Sequence, residues 1–200
     1  MQTSLPDELQ LDALREVANV GAGHAARALS SLTGGDKIGI DVPRALQVDA
    51  DRLVELLGGQ TGRLCAVSVD MEGALTGKLV LAWPEADALR LVRKLLHDNT
   101  ATLEGVDGAS ALQEAGNIMV SACLTAVGDL VALPLLPSVP TTRRGTTLEV
   151  AREMMKDKVL RMDGLRWVLE ARMFSQTVCG QLLLFPDAES VAPLLAQLHL

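Results

Sequence analysis

Apolar residues recur at helical spacing across residues 11–32, LDALREVANVGAGHAARALSSL. At about 100° per residue, Leu11, Leu14, Ala18, Ala25 and Leu29 gather on one side of the predicted helix, and Asp12, Glu16 and Asn19 fall roughly opposite. Steps of four and then three set these polar side chains in one file that faces solvent or a partner. The helix is predicted to open at Ser4-Leu5-Pro6-Asp7, with Ser4 or Asp7 as cap, and to stop near Thr33 at the Gly34-Gly35 pair. Residues 37–42 alternate as a strand closed by Pro43, and residues 49–57 read as a short helix ended by Gly58-Gly59. Residues 63–70 and 76–83 are predicted strands of a hairpin turning through Met71-Glu72-Gly73. Pro84 opens an amphipathic helix with Ala88, Leu91, Val92, Leu95 and Leu96 on its apolar side.

The pattern then starts again. SALQEAGNIMVSACLTAV carries Ser110, Glu114 and Asn117 at the same spacing roughly one hundred residues later. Its apolar stripe is Leu112, Ala115, Met119, Ala122 and Ala126, within a helix predicted over residues 110–130. A proline-broken stretch, 134–140, stands in place of the first strand, and a short helix follows over 148–155. Residues 158–162 form a candidate strand, and 166–175 with 180–185 form a second hairpin before Pro186 opens a last helix running to Leu198. The letters repeat as well, GKLVLAWP against GQLLLFP. The join at 98–108, DNTATLEGVDG, is polar and contains the turn signal Asp107-Gly108. Two repeats, about 8–98 and 106–200, would each leave an apolar face uncovered if alone. The pattern therefore predicts one α+β domain over residues 1–200: a pseudo-twofold duplicated, intertwined fold, mainly antiparallel β-sheet, with two long central helices carrying the polar files.

Composition narrows the function. A hydrophobic share of 48% with 22% charged residues belongs to a folded chain. Trp83, Trp167, Phe174 and Phe185 are its aromatics and there is no tyrosine, so the core is aliphatic and stacking platforms for bases are lacking. The net charge of −7 argues against nucleic acid, and Arg143-Arg144 amount to a pair expected on a solvated loop tip. Cys65, Cys123 and Cys179, odd in number and set among apolar residues, read as reduced structural thiols rather than a disulfide framework or zinc site. MQTSLPDELQ lacks the basic and apolar regions of a signal peptide, and no segment is expected to reach membrane-spanning length, so a cytoplasmic location without membrane insertion is expected. No GxSxG elbow, Walker loop or HExxH is present, which argues against a self-contained hydrolase.

A helix reading Asp or Ser, three residues, Glu, two residues, Asn, followed in the first copy by Val20-Gly21-Ala22-Gly23, resembles the CheC/CheX/FliY family of chemotaxis phosphatases. Members of that family act on the phosphorylated response regulator CheY. The likeness covers nearly the whole chain, and two complete motif copies point to the CheC-like branch: CheX keeps one active helix, and FliY carries an extra flagellar-switch domain for which this chain has no room. The resemblance implies that Asn19 and Asn117 orient the attacking water, that Glu16 and Glu114 dock the regulator, and that Asp12 and Ser110, in the variable first position, support them. It also implies that this chain binds no metal or cofactor, Mg²⁺ being held by the partner regulator. The chemistry is coherent: a carboxamide can accept a hydrogen bond from water and donate one to a phosphoryl oxygen, as a glutamine does in GTPases, while the glutamate pairs with the regulator's lysine.

The expected partners are a phosphorylated CheY-like regulator and a CheD-type receptor deamidase. The competing reading is a regulatory binding module that sequesters the regulator or docks the deamidase with weak catalysis. An exposed Glu and Asn on one helix is ordinarily only a solvated face. Asn is mildly unfavourable in mid-helix, however, and it stands here twice at matched places. Two departures from the family pattern bear on activity. His24 replaces a common asparagine and reads as a helix-surface residue, while Asn117-Ile118-Met119-Val120 lacks the small residues of the first copy. Gly21 and Gly23 equally suit close packing of the two central helices. The Asn19 site is therefore expected to contribute more turnover.

Overall fold

The structure, a computed structural model, describes residues 8–73, 75–156 and 166–197. Helix α1 (Glu8–Leu32) is followed by strands β1 (Gly39–Ile40) and β2 (Arg44–Val48), helix α2 (Ala50–Leu56), strands β3 (Arg63–Gly73) and β4 (Gly77–Pro84), and helix α3 (Glu85–Leu96). The same succession of types then recurs: α4 (Val106–Val131), β5 (Leu135–Pro137), β6 (Thr141–Thr146), α5 (Thr147–Met155), β7 (Arg166–Phe174), β8 (Cys179–Pro186) and α6 (Ala188–Gln197). All strand pairs are antiparallel. The middle of the sheet runs β7-β8-β4-β3, with β1 and β2 on the outer side of β7 and β5 and β6 on the outer side of β3. Each half of the chain thus lends its short strands to the long hairpin of the other. The α+β class and antiparallel sheet are as predicted.

Period-two alternation divides the sheet between two cores. Cys65, Val67, Val69 and Met71 of β3, with Leu79, Leu81 and Trp83 of β4, pack beneath α1, α3, α4 and α6. Leu64 and Ala66, with Val80, Ala82 and Leu183, pack on the other side against Leu53 and Val54 of α2 and Val150, Ala151 and Met154 of α5. The two long helices therefore lie together on one face of a three-layer structure.

Several expectations are corrected. Pro43 does not close the first strand; β2 resumes directly after it on the same neighbour. Ile40 is opposite Met173 and Arg44 opposite Glu170, so four steps on one side match three on the other, and the proline sits in this bulge where its missing N–H costs no ladder bond. The proline-broken stretch likewise contains β5 and leads into β6, and Arg143 and Arg144 stand within β6, not on a loop tip. The first hairpin turns beyond Gly73, since Met71 is already paired with Gly77. Asp107-Gly108 is the first turn of α4 rather than a loop: Gly105 is the N-cap, Asp107 is favoured by the helix dipole, and a Cβ on Gly108 would meet the Thr102 carbonyl oxygen at 2.0 Å. Pro186 ends β8 instead of opening α6. Helix α4 is also long and apolar enough to cross a membrane by length and composition, against the expectation, but 56% of that stretch is buried and it is a core helix. Cys65 and Cys123 are buried as expected, whereas Cys179 is exposed. The cap candidates Ser4 and Asp7, the candidate strand at 158–162 and Leu198 lie outside the described residues.

Candidate functional site

Helix α1 turns its file outward because its other side is fully committed. Leu14, Val17, Ala18, Gly21, Ala22, Ala25 and Leu29 are buried, and Gly21 permits the closest approach to α4: a Cβ there would meet Cys123 Sγ at 2.7 Å and Val127 Cγ2 at 3.0 Å. Gly21 thus serves helix packing, whereas Gly23 does not: among the described residues, a Cβ there would come within 4 Å of Arg27 Nη1 on its own helix and of no neighbouring element. Asp12, Glu16 and Asn19 are all exposed. Asp12 is ion-paired with Arg15 within its own helical turn. Among the described residues, no hydrogen bond or ion pair engages the side chains of Glu16 and Asn19. A carboxylate and a carboxamide one turn apart are therefore free to meet groups of another molecule.

Helix α4 repeats the line in a tighter setting. Ser110 and Glu114 are exposed, but Asn117 is half-buried. Gly116, immediately before it, lies against β3, where a Cβ would meet Val67 Cγ1 at 2.6 Å and Val67 Cβ at 2.8 Å. Leu112, Ala115, Met119, Val120, Cys123 and Leu124 fill the buried side. Ala122, expected in the stripe, is only half-buried. On one flank the Gln113 Nε2 is 3.5 Å from the Pro140 carbonyl oxygen, at the outer limit of a hydrogen bond. Glu114 and Asn117, like their counterparts on α1, engage no partner among the described residues. Glutamate and asparagine are thus brought together within each helix, and no hydrogen bond joins one file to the other.

Charges that sequence reasoning left as solvated form a clasp at the start of α4. Glu85 accepts from Arg63 and Arg144, and Arg144 Nη2 also reaches Glu104 at 2.6 Å. Arg63, and with it Arg144, holds the Glu85 carboxyl below the usual carboxylate range; Arg144 does the same for Glu104. Glu104 and then Glu85 raise the Arg144 guanidinium further. Arg143 Nη1 donates to Ser68 Oγ at 2.9 Å. The buried thiols are inert by contrast: desolvation pushes Cys65 up to about 11 and Cys123 up to about 12, leaving no thiolate at neutral pH. Among the described residues, no group of three or more His, Cys, Asp or Glu side chains could hold a metal ion.

Comparison with known proteins finds relatives in sequence and in fold. Residues 9–46, which include the whole first file, match the family model described as CheC-like family. The CheY-P phosphatase CheC of Bacillus subtilis (strain 168) is 41% identical over 137 residues, covering 66% of this chain and 65% of the relative. The match thus spans just under two thirds of that relative's own length. Thermotoga maritima FliY has the same fold, with a TM-score of 0.70 at 20% identity over 96% of each chain. So does the protein matched in the CheX-CheY-BeF3-Mg²⁺ complex from Borrelia burgdorferi, with a TM-score of 0.56 at 15% identity over 84% of this chain and 96% of the other. The chain is thus similar to CheC-like proteins in sequence and shares its fold with FliY and CheX proteins.

Proposed function

We propose that this chain accelerates hydrolysis of the aspartyl phosphate of a CheY-like response regulator in chemotaxis signalling. The observation that carries the reading is the unengaged Glu-Asn pair on the outer side of each long helix. Phosphoryl transfer passes through a loose transition state, so positioning of the water and stabilisation of charge do most of the catalytic work. The regulator supplies the phosphoaspartate, Mg²⁺ and a lysine. Asn19 and Asn117 supply what it lacks, a carboxamide that accepts from the water and donates to a phosphoryl oxygen. Glu16 and Glu114 pair with the lysine and set the helix in register over the site. Asp12, tied to Arg15, and Ser110 border the docking line. Support comes from the named activity of the Bacillus relative and from the complex that joins CheX to CheY with beryllofluoride and Mg²⁺, which also favours placing the metal on the regulator.

We further propose that the chain is a single unit of two interlocked repeats, 8–98 and 106–200; the recurring element order and the exchange of short strands support it. A cytoplasmic location goes with this reading. The test is the decay of a phosphorylated CheY-like receiver with and without the protein. Catalysis accelerates decay at substoichiometric amounts. A protein that only sequesters the receiver, or only docks a deamidase, leaves the decay rate unchanged or slows it, and that result would overturn the phosphatase reading.

A further inference from the structure

The file on α1 does not end at Asn19. Steps of four carry it on to Gly23 and Arg27, and at about 100° per residue Asp12, Glu16, Asn19, Gly23 and Arg27 all fall within an arc of about 80°. Gly23 leaves its step empty, and the Arg27 guanidinium lies across it: Nη1 is 3.9 Å from the position a Cβ on Gly23 would take. With a rise of about 1.5 Å per residue, Gly23 stands about 6 Å beyond Asn19, so the guanidinium is folded back toward the asparagine. Arg27 is exposed, and among the described residues its side chain has no ion-pair or hydrogen-bond partner. Arg15, Arg44, Arg63 and Arg144 are all paired with carboxylates.

We propose that Arg27 is a recognition group for the phosphoryl group at the Asn19 site, an inference that rests on the phosphatase reading above. A phosphorylated receiver presents non-bridging oxygens bearing negative charge to a line that already carries the Glu16 carboxylate. A guanidinium on the same line offsets that repulsion, and its planar donors suit phosphoryl oxygens. Asn19 engages the water and one oxygen, and Arg27 donates to another from the C-terminal side. The matching positions on α4, four and eight residues after Asn117, are Ser121 and Thr125, so the second file has Glu114 without a cation. The Asn19 site therefore distinguishes a phosphorylated from an unphosphorylated receiver more sharply than the Asn117 site does.

The experiment uses the full chain carrying Glu114→Ala with Asn117→Ala, so that the first site alone contributes, and a CheY-like receiver with Mg²⁺ in the presence or absence of beryllofluoride. Adding Arg27→Ala is expected to weaken binding of the beryllofluoride-loaded receiver about tenfold, the scale of one charge-assisted hydrogen bond. Binding of the unloaded receiver should stay within about twofold. Arg27→Lys should recover part of the loss, and Thr125→Arg in an Asn19→Ala chain should strengthen binding of the loaded receiver. Unchanged affinity for the loaded receiver, or equal losses for both forms, would overturn the proposal, the latter because it reports only general surface charge. Phosphate decay measured in parallel on Asn19→Ala with Asn117→Ala separates the two readings. Acceleration that persists in that double variant overturns the water-orienting role of the asparagines, and no acceleration by the unaltered chain overturns the phosphatase reading, whereas acceleration that the double variant loses, with no effect of Arg27→Ala on binding, overturns the role of Arg27 alone.

Discussion

The two long helices carry the same polar line in different surroundings. On α1, Asn19 is exposed, the next step of the file is Gly23, which no neighbouring element presses upon, and an unpaired arginine follows. On α4, Asn117 is half-buried, the glycine beside it is wedged against Val67, and the chain leading into the helix is clasped by Arg144, Glu85 and Glu104. Equal spacing along a helix thus produces equal lines but not equal access. Access depends on which neighbouring elements press against the helix, and α4 has the more crowded position, between α1, α3 and β3.

Removing both carboxamides should have the largest effect. Asn19→Ala with Asn117→Ala is expected to lower the acceleration of receiver dephosphorylation by at least about a hundredfold, since misplacing a reacting group by about 1 Å costs that much. Thermal unfolding should be unaltered, because neither side chain holds the fold together. Retention of full activity would remove the water-orienting role. The single variants then probe the inequality: Asn19→Ala should cost more turnover than Asn117→Ala against the same phosphorylated receiver, with equal losses abolishing the asymmetry and a larger loss at Asn117 reversing it.

The glycines sharpen the comparison through stability. Gly116→Ala forces a methyl group against the branched carbon of Val67, which cannot swing aside, and is expected to destabilise by about 1–3 kcal/mol in urea unfolding. Gly23→Ala meets only Arg27 Nη1, at an ordinary contact distance of 3.9 Å, and should stabilise α1 by up to about 1 kcal/mol through helix propensity. Similar values at both positions would show that the two helix surfaces are equally free.

The smallest effect concerns the clasp on α4. Because Glu85 has its carboxyl pKa lowered by Arg63 and Arg144, its contribution to stability is present above the ordinary carboxylate range and is lost as pH falls through the lowered value. Glu85→Gln should therefore cost about 1 kcal/mol at neutral pH, the upper range for partly exposed pairs, and little in strong acid. Unfolding curves of both proteins across that range test it; a pH-independent difference would mean that packing, not charge, is responsible.

Much of this was legible without coordinates where the governing rule is local. The faces of α1 and α4 follow from 3.6-residue periodicity, and Leu14, Ala18, Leu112 and Met119 are buried as their spacing requires. The stops at Gly34-Gly35 and Gly58-Gly59 follow from backbone freedom, all four glycines having positive φ. Short strands were harder to read. Five residues directly after a proline have too little alternation to declare β2, and β6 reads TTRRGT, polar enough to pass for a loop. Each exists because the other half of the chain offers it an open strand, β7 for β2 and β3 for β6. Arg144 misled for the same reason: its partners Glu85 and Glu104 are distant in sequence and meet it only across the sheet.

The amino-acid sequence by itself determined the two amphipathic helices and their Glu-Asn lines, because residues three and four apart on a helix share a face whatever surrounds it; the motif letters along those lines carry the resemblance to chemotaxis phosphatases. Only the tertiary structure decided that Asn117 sits deeper than Asn19, that Gly21 serves packing while Gly23 stays open, and that Arg27 leans back along the first line without a partner. Those properties depend on atoms brought near from elsewhere in the chain. Steric access and charge pairing are relations between elements, and they exist only once the elements have packed.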